Sequence, residues 1–77
     1  MDKNEKEAKA WKAGIEELDL LEYDDEIEIL DNYMQEEKWK EASEFCRGKI
    51  VTASYSGKNL TEEDMVAVVR EKYEELS

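Results

Sequence analysis

The sequence predicts a mainly α fold, a small bundle of three to four helices near residues 5–21, 25–35, 36–55 and 61–76. Three observations predict it. Apolar residues recur at spacings of three and four through most of the chain, which puts them on one face of a helix. Thr61 and Asp64, three residues apart before an apolar run, have the form of a capping box with Asp in place of Glu. The length of 77 residues allows one domain at most, here a single small acidic domain over 1–77. A domain of that size buries only about 60% of its unfolded surface, so a thin core is expected, with a partner chain expected to help stabilise it.

The first helix, 5–21, rests on Ala8, Trp11, Ile15 and Leu18, with Leu21 at the border of the stripe. Gly14 lies inside it and weakens it by about 1 kcal/mol relative to Ala. Glu22 falls on the apolar face, so the helix is expected to end near there, and Asp24 or Asp25 caps the next one. The second helix, 25–35, puts Ile27, Leu30 and Met34 on one face, flanked by Ile29 and Tyr33, with Asp24, Asp25, Glu28 and Asp31 opposite. A strand competes here, because Glu26-Ile27-Glu28-Ile29 alternates with period two. The third helix, 36–55, carries Trp39, Ala42, Cys46, Ile50 and Ala53, widened by Phe45. Its weak point is Gly48 followed by the β-prone Ile50-Val51-Thr52. The alternative fold is therefore α+β, with short strands near 26–30 and 50–55. Gly57 is a candidate C-terminal cap, and Gly57-Lys58 reads as a turn. The fourth helix buries Met65, Val66, Val69, Tyr73 and Leu76, with Leu60 and Met65 at the two hydrophobic-staple positions.

The chain holds 22 Asp+Glu against 11 Lys+Arg, a formal charge of −11. Although 43% of residues are charged, large apolar residues such as Trp11, Trp39, Phe45 and Tyr73 are spread along the chain, which disordered acidic chains lack. The charge is segregated. Residues 1–15 are net +1 and residues 38–77 net −1. Residues 16–37 hold eleven acids and no base: Glu16, Glu17, Asp19, Glu22, Asp24, Asp25, Glu26, Glu28, Asp31, Glu36 and Glu37.

Several functions are disfavoured on composition. No apolar run follows Met1, so neither a signal peptide nor a transmembrane segment is expected. A single cysteine makes no internal disulfide and no zinc cluster, which points to a reducing cytoplasm. An acidic chain is repelled by nucleic acid and by anionic lipid, so direct binding to either is not expected. Enzymatic chemistry needs a poised acid, base, nucleophile or metal. Histidine is absent, and Cys46 sits on an apolar stripe where a thiol is an inert small hydrophobe. There is no Walker pattern around Gly57-Lys58. An EF-hand loop needs Gly at position six and Glu at position twelve. Counting from Asp19 those positions hold Asp24 and Leu30, so that pattern fails and no cofactor is expected.

The acidic block is the candidate site. One reading is a solvated face that keeps the protein soluble. The sharper reading is an imitation of a nucleic-acid backbone. If helical throughout, 22 residues span about 33 Å. One turn of B-DNA is about 34 Å and carries roughly 20 phosphate charges. One chain supplies about half of those and a dimer about all. Carboxylates accept hydrogen bonds from Arg and Lys much as phosphate does.

On the run from Glu16 to Glu37, the chain resembles small acidic cytoplasmic proteins, encoded by bacteriophages, that disable host machinery by mimicking DNA. Inhibitors of the histone-like protein HU are among them. The resemblance is one of size and charge character. It implies a non-enzymatic inhibitor of a basic DNA-binding protein, with a nucleoid-associated protein favoured over RNA polymerase, a sigma factor or a CRISPR nuclease. A second, local resemblance covers Ile50-Val51-Thr52-Ala53-Ser54-Tyr55, a short turn, and Leu60 to Leu76. This stretch is similar to the N-terminal helical region of Ros/MucR-type regulators, which implies self-association. The family's zinc-binding, DNA-reading half has no counterpart here. The rival to the mimic is a small helical adaptor or regulator that binds through apolar side chains. A thin core and an apolar third helix with a tyrosine-bearing fourth predict a homodimer with the acidic stretches facing outward.

Overall fold

The structure, a computed structural model, describes residues 2–57 and 60–76. Among them it holds four helices, α1 (Lys3–Glu17), α2 (Asp24–Gln35), α3 (Trp39–Tyr55) and α4 (Glu62–Glu75), and no strand. The fold is mainly α, and the α+β alternative is not realised. Residues 26–30 are helical because Glu26 and Leu30, four apart, share the inward side of α2. A strand would have put Glu26 and Glu28 together on one face and Ile27 and Ile29 on the other. Residues 50–55 are helical because Ile50 and Ala53 pack inside at a spacing of three while Thr52 stays exposed. Burial of that face overrides the β propensity of Ile50-Val51-Thr52.

Two helix boundaries differ from expectation. α1 stops at Glu17 rather than near 21, and residues 36–38 are a turn rather than the start of α3. Both breaks have the same construction. Asp19 and Glu37 adopt left-handed backbone, with φ of 56° and 59°. The N–H of Leu20 donates to the carbonyl of Ile15 at 3.0 Å, and that of Lys38 to the carbonyl of Tyr33 at 2.9 Å. The N–H groups of Asp19 and Glu37 donate to Glu16 and Met34, each at 3.2 Å. These are Schellman motifs, which usually have Gly at the left-handed position. An acid there costs about 1–2 kcal/mol of backbone strain. The first turn lets Leu20 fold back into the core.

The N-termini differ too. α2 has Tyr23 at its N-cap with no side-chain cap, so neither Asp24 nor Asp25 is the cap. Asp24, Asp25 and Glu26 occupy the first turn instead, where they meet the positive end of the helix. α4 has the expected capping box. Thr61 Oγ1 accepts from the Asp64 N–H at 3.1 Å, and the Thr61 N–H donates to Asp64 Oδ2 at 3.4 Å. Leu60 stays 43% exposed, so its staple contact is partial at most. Gly57, with φ +81°, ends α3 as expected, while Lys58 of the expected turn lies outside the described residues.

α1, α3 and α4 pack against one another in pairs, and α2 packs on α3. The core is Ala8, Ala10, Ile15, Leu20, Leu30, Ala42, Cys46, Ile50, Ala53, Met65 and Val69. α2 contributes Leu30 alone to it. Extents of 34 × 28 × 16 Å leave a thin interior, and the alanines let the helices approach closely. Gly14 takes this furthest. A Cβ built there would lie 2.6 Å from Val69 Cγ2 and 3.3 Å from Val69 Cα. The glycine that weakens α1 locally is thus what lets α1 lie against α4.

Two glycine substitutions separate these effects. Gly48 faces open space, so Gly48→Ala is expected to stabilise by about 0.5–1 kcal/mol through helix propensity. Gly14→Ala gains the same propensity but forces α1 and α4 apart, for an expected net loss of about 1–3 kcal/mol. Urea unfolding followed by circular dichroism measures both. Equal effects of the two would contradict the close approach.

Candidate functional site

The eleven acids of residues 16–37 do not form one rod. They lie on the last turn of α1, the connection 18–23, α2, and the turn before α3. The longest helical piece, α2, has 12 residues. It spans about 18 Å, roughly half of a DNA turn. The length match expected of a continuous 22-residue helix is therefore not present.

Within α2 the arrangement is orderly. Asp24, Asp25, Glu28 and Asp31 are all exposed. Their spacing places them around one outward face of the helix. Among the described residues no Lys or Arg lies within salt-bridge distance of any of the four. Asp19 and Glu37 extend the acidic surface from the two Schellman turns, and Glu22 is exposed on the connection between α1 and α2. Apolar groups border the acids. Tyr23 is 66% exposed, Ile27 41% and Ile29 42%. Such a surface can accept hydrogen bonds from a basic partner and add apolar contact.

The rest of the block is not lysine-free in space. Glu16 pairs with Lys12 at 2.6 Å, Glu17 with Lys72 at 3.0 Å and Glu36 with Lys38 at 3.1 Å. The Glu17 carboxylate raises the pKa of Lys72, and Glu36 does the same for Lys38. Glu26 turns inward and pairs with Lys49 of α3. Its Oε1 takes the lysine, while Oε2 is sealed from solvent with no hydrogen-bond partner. Glu26 therefore ties α2 to the bundle instead of facing outward. Helical spacing held the signal, since Glu26 lies four residues before Leu30 and seven before Tyr33.

Elsewhere the chemistry is sparse. Among the described residues no group of three or more His, Cys, Asp or Glu is placed to hold a metal ion. No helix among them is long and apolar enough to cross a membrane. Cys46 is fully buried, and burial pushes its thiol up to about 12. A cleft of about 530 Å³ lies away from residues 16–37, between α1, α3 and α4. Composition gave no sign of it, because its wall combines side chains from three separate segments.

In the first instance, then, the chain is a small four-helix α protein with an acidic outer helix. No protein-family model, no curated protein and no solved structure matches it.

The buried thiol is a probe of the fold. At pH 8, alkylation of Cys46 by iodoacetamide should run at least about a hundredfold slower in the folded chain than in urea. Because the folded thiol ionises later than the unfolded one, stability should decline as pH rises from about 9 toward 12. Alkylation at the rate of an unfolded cysteine would contradict the burial.

Proposed function

We propose that this protein is a non-enzymatic inhibitor that imitates nucleic-acid charge and occupies the DNA-binding surface of a basic host protein. The observation that carries this reading is the exposed set Asp24, Asp25, Glu28 and Asp31 on α2, without a salt-bridge partner among the described residues. From Asp24 to Asp31 the helix advances about 10 Å, a length over which duplex DNA carries about six phosphates. Four carboxylates over that distance approach the density of a nucleic-acid backbone. Ile29, beside Glu28, offers apolar contact that a phosphate backbone lacks. A nucleoid-associated protein of the HU type is the favoured target within a cytoplasmic setting. RNA polymerase, sigma factors and CRISPR nucleases present similar basic surfaces.

A second reading, a helical adaptor that binds through apolar side chains, draws on the cleft between α1, α3 and α4. The two readings use different surfaces. Reversing Asp24, Asp25, Glu28 and Asp31 to Lys removes the first and spares the second.

The test is a competition titration on a purified HU-type protein at several salt concentrations. DNA binding falls with a slope of about −0.9 per phosphate neutralised. The inhibitor, with fewer charges and some apolar contact, should lose affinity less steeply. It should displace DNA more effectively as salt approaches physiological values, and the fourfold reversal should abolish displacement. A ternary complex of inhibitor, target and DNA would overturn the mimic. So would displacement that the fourfold reversal leaves intact.

A further inference from the structure

The cleft between α1, α3 and α4 combines two features. Its floor is apolar and aromatic, with Trp11, Val69 and Tyr73. Its wall carries four charged groups: Glu7 from α1, Glu44 and Arg47 from α3, and Arg70 from α4. Arg47 and Arg70 are the only arginines in the chain. In a protein with 22 acids, neither forms a salt bridge among the described residues, and neither do Glu7 and Glu44. Five lysines (Lys9, Lys12, Lys38, Lys49 and Lys72) do each pair with a carboxylate.

The balance of these charges selects the occupant. A purely acidic partner would meet Glu7 and Glu44, and a purely basic one would meet Arg47 and Arg70. A surface with two positive and two negative groups around an apolar centre can match itself across a two-fold axis. There each arginine of one copy faces a glutamate of the other. Tyr, Trp and Arg are also the residue types enriched at the energetic centres of protein interfaces. Position agrees with this. No residue of the cleft comes from 16–37, so two chains of charge −11 can meet here with their acidic blocks turned away. At physiological salt the Debye length is about 8 Å, so repulsion between blocks held apart is largely screened.

We infer that this cleft is a self-association surface occupied by a second copy of the same chain in a two-fold dimer. The inference goes beyond charge mimicry, since a monomer could also carry the acidic face of α2. Its failure would leave that reading untouched.

Sedimentation equilibrium of the full chain tests it. The wild type should run at twice the 9.1 kDa of one chain. Arg47→Glu with Arg70→Glu, and separately Glu7→Lys with Glu44→Lys, should each weaken dimerisation by at least about a hundredfold through like-charge contact. Both should keep the helical circular dichroism of the wild type, because these side chains lie on the surface, while melting at a lower temperature as the stabilising association is lost. Mixing the two variants should restore association as a heterodimer. If a double variant unfolds, Arg70→Glu alone is read in the same way. A wild type that remains monomeric at high concentration overturns the inference and leaves the cleft to another partner. Charge variants that dimerise like the wild type, or a mixture that fails to associate, also overturn it.

Discussion

Everything the acidic surface does depends on how α2 is fastened, and the fastening is slight. α2 buries one leucine, Leu30. Beside it, the Tyr33 ring meets Phe45 of α3 edge to face, with centroids 6.3 Å apart. Below these, Glu26 pairs with Lys49, whose ammonium also lies 5.8 Å from the centre of the Phe45 ring. A partly buried ion pair gains little net energy, because desolvation offsets much of the attraction. Loss of either partner is costly, however, since it strands a charge in a sheltered place. The pair thus fixes which face of α2 turns inward. With Glu26 and Leu30 held against α3, Asp24, Asp25, Glu28 and Asp31 fall on the exposed side of α2.

The other three helices carry the stability. α1 lies between α3 and α4, and Gly14 against Val69 sets how near α1 comes to α4. Ion pairs add to this where helices meet. Lys72 reaches from α4 to Glu17 at the end of α1, and Lys6 sits 4.2 Å above the Tyr73 ring. These contacts draw some of the acids of residues 16–37 into structural roles. The protein therefore divides its acids between those that hold the fold and those left exposed on α2.

Much of the fold was legible because it rests on local spacing. The stripes of α1, α3 and α4 and the Thr61–Asp64 box follow from residues three and four apart. The end of α1 and the turn before α3 were not legible, because their left-handed positions hold Asp19 and Glu37 where glycine is the usual signal. Gly14 read as a weakness because its benefit lies in a contact with Val69, far along the chain. Glu26 read as one surface acid among many, although its spacing to Leu30 placed it inside. The acidic stretch looked lysine-free because Lys49 and Lys72 arrive from other helices. The cleft at Arg47 and Arg70 could be found only once three helices were assembled.

Native-state hydrogen exchange tests most directly the division between a stable three-helix core and a lightly held acidic helix. Amides in cooperative units exchange through openings whose free energies report each unit separately. The amides of α2 should exchange through an opening of lower free energy than those of α1, α3 and α4, which should share the global value. Protection of α2 equal to that of the other three helices would contradict the account, because it would make the acidic helix part of the core.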